Sequence, residues 1–158
     1  MSVHPLTLVL QKQLKLHKSL YGLGLEKTDI LKEGSLEGLN ELLKKEQKHL
    51  TAIGQLEKER AQIVSSIVPD AEQAVLNDCL PLMPEKDRVE IAELQQALTD
   101  QLKDLKEINE LNQELIHLSM QYVTMNLDLL MPNDMDNYKK QQDGEDTAPS
   151  ISLFDSKA

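Results

Sequence analysis

Apolar side chains recur every three or four positions along most of this chain, the period of helices that bury one face. From Pro5 to about Lys32 the row runs through Leu6, Val9, Leu10, Leu16, Leu20 and Leu23 to Ile30 and Leu31. Gly22 and Gly24 interrupt it, at about 1 kcal/mol each relative to Ala in a helix interior. With no strand before them and no Lys-Ser/Thr after them, the pair does not form a phosphate-binding loop. It is read as local looseness or as close packing against a neighbour. Gly34 supplies a stop and Ser35 a cap for a second helix carrying Leu36, Leu39, Leu42, Leu43, Leu50 and onward to Ile67. So short a connection makes the two helices an antiparallel hairpin.

Pro69 ends the second run, and Asp70 with Gln73 predicts a capping box for a short helix through Ala74, Leu76 and Leu80. Pro81 and Pro84 break the chain again, Pro84 suiting the first turn of a third long helix. That helix has no Gly or Pro before Pro132, and its row includes Ile91, Leu94, Leu98, Leu102, Leu105 and Ile108. Roughly 42 residues at about 1.5 Å each give a rod of roughly 60 Å, against about 30 residues in each helix of the hairpin. About a third of the rod is therefore expected to outreach the hairpin and to present an uncovered apolar stripe: Leu111, Leu115, Leu118, Tyr122, Met125 and Leu129. This stripe is the predicted partner-binding surface.

The fold class expected is all-α: an antiparallel hairpin packed on one long third helix, an elongated three-helix bundle or coiled coil, with a short connecting helix. Residues 1–131 form the helical domain and 132–158 a flexible acidic tail, because Asn133 to Ala148 is too polar to offset its ordering entropy. Within the tail, Ile151, Leu153 and Phe154 make an apolar island, read either as an unimportant end or as a short docking motif.

Composition narrows the function. The chain has no Trp, one Phe and three Tyr, so its core is aliphatic. A net charge of −10 disfavours nucleic acid and anionic membrane, whose phosphates reward basic patches. A single cysteine, Cys79, precludes an intrachain disulfide and a multi-cysteine zinc site, and reads as a small buried hydrophobe. The N-terminus has no basic segment followed by a long apolar run, and no stretch reaches the roughly 20 apolar residues of a membrane span, so a cytoplasmic location is expected. The clusters Lys44-Lys45-Glu46 and Glu57-Lys58-Glu59-Arg60 read as mixed-charge surface pairs.

No Ser-His-Asp, Cys-His or His-Glu-x-x-His arrangement occurs at a recognisable spacing. Glu-x-x-His occurs twice, at Glu46/His49 and Glu114/His117, as in di-iron bundles. There the motifs project inward. Here His49 lies about 100° from Leu50 and His117 about 200° from Leu115, which directs both imidazoles to the rim or solvent. Neither a metal, a cofactor nor a catalytic site is expected.

The segments Leu16-x3-Leu20, Glu26-Lys27-Thr28 and Leu56-Glu57-Lys58-Glu59-Arg60 resemble the N-terminal half of FlgN proteins. The run Ile108-Asn109-Glu110-Leu111-Asn112-Gln113-Glu114-Leu115-Ile116, followed by Tyr122, resembles the family's Asn-x-x-Leu segment and downstream aromatic. The ending Phe154-Asp155-Ser156-Lys157-Ala158 is similar to those of Gram-positive members. The resemblance implies a cytoplasmic flagellar type III export chaperone. Its clients would be the C-terminal helical segments of the hook–filament junction proteins FlgK and FlgL, and an export-gate component would be a further partner. The competing reading is a structural homodimeric coiled coil, with Asn112 in its seam setting register. From the placement of His49 and His117, treatment with a chelator should leave helicity and thermal midpoint unchanged; stoichiometric metal in the purified protein would refute that placement.

Overall fold

The structure, a computed structural model, describes residues 3–70 and 72–130. Among these the chain is all-α, with helices α1 (Pro5–Glu33), α2 (Leu36–Ile67), α3 (Leu76–Cys79) and α4 (Glu85–Leu130), and a 3-10 turn at Leu80–Leu82. Residues 132–158, including Ile151, Leu153 and Phe154, lie outside the described part. The chain divides into two units, Met1–Ile116 and His117–Ala158, with α4 continuous through the division.

Local chemistry sets the boundaries. Pro5 opens α1, and the Nδ1 of His4 accepts from the Leu6 N–H at 3.1 Å, satisfying one of the first-turn donors. α1 ends at Gly34, whose φ of +73° is left-handed and whose N–H reaches the Ile30 carbonyl at 2.9 Å. Ser35 then caps α2 by accepting from the Gly38 N–H at 3.1 Å. The reversal therefore takes two residues. Antiparallel pairing follows, and three side-chain ties record it: Lys27–Glu46 at 3.2 Å, Ser19–His49 at 2.8 Å and Gln13–Glu57 at 3.0 Å. Position numbers fall along α1 as they rise along α2.

The predicted cap of the short helix is misplaced. α3 begins after Val75, not Asp70, and the Val75 N–H donates to the Asp78 carboxylate at 3.0 Å. A carboxylate three residues into the helix reaching back to the preceding N–H is half of a capping box, and Val75 has no oxygen to complete it. Pro84 supplies the first carbonyl of α4, accepting from the Arg88 N–H at 3.0 Å.

Two aliphatic clusters fill the first unit. One joins the start of α1 (Leu6, Leu10) to the end of α2 (Val64), the α3 turn (Leu76, Cys79, Met83) and Ile91 of α4. Cys79 is fully buried, as the sequence suggested, and burial pushes its thiol pKa up, with Asp78 adding to the effect and Arg60 opposing it. The other cluster sets Leu20 and Leu23 of α1 against Leu105 and Ile108 of α4.

Beside it α1 and α4 come closest. A Cβ on Gly24 would lie 2.9 Å from Cγ2 of Ile108, so only a glycine fits, whereas a Cβ on Gly22 would meet nothing within 4 Å. The buried Gly24 carbonyl accepts from Nδ2 of Asn112 at 2.8 Å. The Thr28 hydroxyl lies 2.6 Å from Asn112 Oδ1 and 3.1 Å from the same carbonyl, its single hydrogen serving the shorter contact. Asn112 is 2% exposed, so its amide is spent inside the chain. The homodimer reading loses its register residue.

Several leucines expected in the core are not there. Leu36, Leu43 and Leu50, seven residues apart on α2, are exposed, because α2 packs through Leu39, Leu42, Leu56 and Val64 and has no neighbour behind it among the described residues. The seam of α4 follows Ile91, Leu105, Ile108 and Asn112, leaving Leu102 exposed on its flank. Two acids read as surface charges instead tie helices together. Glu46 pairs with Lys27 with both side chains 16% exposed, and Glu57 accepts from Gln13 and from the Arg60 guanidinium.

Two measurements follow from this packing. Gly22→Ala should stabilise the protein by about 1 kcal/mol through helix propensity alone. Gly24→Ala should destabilise it by about 1–2 kcal/mol, since strain against the β-branched Ile108 exceeds the same gain. Urea midpoints of opposite sign test the pair. The second concerns Glu57, whose carboxyl is held below its ordinary pKa by the hydrogen bond from Arg60, with a smaller contribution from Gln13 and burial acting the other way. A lowered pKa in the folded state contributes stability above the unfolded pKa that disappears as pH falls through the folded one. Glu57→Gln should therefore lower the urea midpoint at neutral pH, and the difference should shrink as pH falls through the lowered folded-state pKa of Glu57.

Candidate functional site

Among the described residues no three His, Cys, Asp or Glu side chains converge as a metal site would need. No helix there is long and apolar enough to cross a membrane. Among the described residues the Ser19–His49 contact is the one nucleophile–imidazole pair, with His49 Nδ1 on the Lys45 carbonyl at 2.8 Å. Its surroundings are helix interior, where backbone N–H groups are consumed by i→i−4 bonds, so no donors remain to stabilise an oxyanion. It is an interhelical tie. Neither Glu-x-x-His motif gathers ligands: His49 is half-buried at the rim and His117 is exposed.

An open groove in the first unit is floored by Leu10 and Gln13 of α1 and walled by Ile53 and Glu57 of α2 and Leu98 and Leu102 of α4. Its charges are already matched, Glu57 by Arg60 and Gln13. It presents no unpaired charge to select a ligand.

The predicted surface divides between the two units. Leu111 and Leu115 belong to the first, where Leu111 is exposed and Leu115 half-buried. Leu118, Tyr122, Met125 and Leu129 belong to the second and are 55%, 64%, 58% and 74% exposed. At about 100° per residue these four fall within an arc of about 60°, a single row along the helix. Their exposure has a simple cause. Past Ile116 every side chain of α4 is exposed except Asn126, which is half-buried.

Sequence reasoning missed a second set in the same stretch. Met120, Val123, Leu127 and Leu130 are also exposed and recur at three, four and three positions. Their signal was the same periodicity, hidden by the first row interleaved with it. The stretch from Leu115 to Leu130 also holds a single charged residue, Asp128, in a chain that is 28% charged. Isolated exposed leucines are ordinary, whereas eight exposed apolar side chains in thirteen residues with so little charge among them form a contiguous apolar surface of the kind that makes a candidate interaction site.

A family model described as "FlgN protein" matches residues 1–144. The uncharacterized protein YvyG of Bacillus subtilis (strain 168) is 33% identical over 145 residues, covering 90% of this chain and 91% of that protein. No solved structure matches.

Proposed function

The chain belongs to the FlgN family, a family of flagellar chaperones and not of enzymes, and from that premise we propose that it escorts the hook–filament junction proteins FlgK and FlgL. In this reading the protein works in the cytoplasm. It holds the C-terminal helical segments of its clients, prevents their premature association and delivers them to the gate of the flagellar type III export apparatus. Residues 1–131 act as the helical client-binding domain and 132–158 as an acidic tail.

The observation that carries the reading is the exposed row Leu118, Tyr122, Met125 and Leu129. An amphipathic client helix laid along it would bury its own apolar face, the helix-in-groove mode, with Leu111 and Leu115 extending the contact. Tyr122 offers a broad ring with a polar tip, and Met125 an adaptable thioether that tolerates related but unequal client helices. Burying four such side chains, each already partly covered, is worth on the order of 6–8 kcal/mol gross. Association costs about 4–15 kcal/mol, so this row alone supports millimolar affinity at best, and the client's own buried apolar face must supply the rest. A carrier that must surrender its client at the gate is well served by that.

A double substitution Leu118→Ala, Tyr122→Ala tests the reading. It should weaken binding of a client C-terminal peptide, measured by isothermal titration, by about 2 kcal/mol or more per side chain if both are hot spots. The thermal midpoint should stay within error, because both residues are exposed and Ala is a good helix former. Normal peptide affinity in the variant would place the client elsewhere. Conversion of a concentration-dependent dimer to monomer, with no peptide bound by either form, would favour the homodimeric coiled coil.

A further inference from the structure

The last turns of α4 are apolar on two sides. At about 100° per residue, Leu118, Tyr122, Met125 and Leu129 centre on one azimuth, and Met120, Val123, Leu127 and Leu130 centre about 150° away. Between them lie Ser119 and Asn126 on one side and Gln121, Thr124 and Asp128 on the other, all but Asn126 exposed. Two rows so far apart are not covered by one partner helix. The second row, 39%, 56%, 44% and 79% exposed, therefore needs an occupant of its own.

We propose that this occupant is the chain's own segment Ile151–Phe154, which seats Ile151, Leu153 and Phe154 on Met120, Val123, Leu127 and Leu130. The second row carries no polar side-chain atom, unlike the first with its Tyr122 hydroxyl, and the island is the one cluster of large hydrophobes in a mostly polar stretch. Dimensions agree. Met120 to Leu130 spans about 15 Å of helix, and the four residues of the island reach at most about 13 Å.

Magnitude decides between a tethered occupant and a separate one. A stable interface between separate chains takes about 800 Å² and 20 or more residues on each partner, and this row has four. The roughly 20 residues between Leu130 and Ile151 give a root-mean-square reach of about 25 Å, more than the length of the row. A tether of that length would hold the island near millimolar effective concentration, so a millimolar intrinsic affinity is enough to keep it seated. The proposal does not depend on what occupies the first row.

Met120 and Met125, one in each row, are built-in reporters. In the full chain labelled at the methionine methyls, the ring of Phe154, the sole phenylalanine, should shift the Met120 methyl resonance. Phe154→Ala should move that resonance by more than a linewidth and leave Met125 in place, at any protein concentration. The proposal fails if Met120 does not move, or if Met125 moves instead, which would put the island on the first row. It fails equally if the Met120 shift follows protein concentration and survives in Phe154→Ala, which would make the occupant a second copy.

Discussion

Everything else in this protein is arranged around the close approach of α1 and α4 at Gly24. The core is made of small aliphatic clusters, and aliphatic rows on helices slide past one another with little penalty per turn. The buried Asn112 removes that freedom. Its amide finds a partner in the Gly24 carbonyl and the Thr28 hydroxyl, while a slip of one turn would set it against apolar side chains. An unsatisfied buried amide costs about 1–3 kcal/mol, comparable to burying a whole leucine, so the polar node outweighs any gain from a shifted row. Gly24 makes the node reachable by allowing the helices together. The register it fixes determines which residues of α4 are spent on the fold and which stay available.

Given that register, the hairpin is tied side by side by a different kind of contact. Lys27–Glu46, Ser19–His49 and Gln13–Glu57 are half-exposed ties whose individual contributions are small, and their value lies in specifying one alignment of α1 on α2. Apolar burial supplies the stability and polar pairing the uniqueness. The net charge of −10 keeps a protein with exposed leucines soluble, while the nearly uncharged stretch from Leu115 to Leu130 spares a partner the cost of stripping water from ions.

Helix identity and ends were legible in the sequence because they depend on local chemistry: Gly34, Ser35 and Pro84 act within a turn of themselves. The close packing at Gly24 was legible as one of two alternatives, and Cys79 as a small buried hydrophobe. Spacing, however, tells which side chains share a face and not which faces have neighbours. Leu36, Leu43 and Leu50 keep perfect helical spacing on a side of α2 that nothing covers. Leu102 was counted in the α4 seam, and Asn112, which occupies it, was assigned to another chain. The cap of α3 was misread because Asp78 acts backward on Val75, a pattern that Asp70 and Gln73 imitate without forming. At the candidate site one apolar row was visible and the other was not, since a two-sided helix blurs the single periodicity by which either side is recognised.

The change in exposure along α4 near Ile116 has an evolutionary consequence. Before it, substitutions disturb buried neighbours and are filtered by stability; after it, they alter a surface whose side chains contribute little to folding. Mutations in the outer turns are thus close to neutral for the fold, and on the proposed reading they bear on recognition instead. A client preference could then change by drift in a dozen residues, with no compensating change in the hairpin. A single helix would thereby carry a buried anchor and, at its outer end, a surface free to vary without cost to folding.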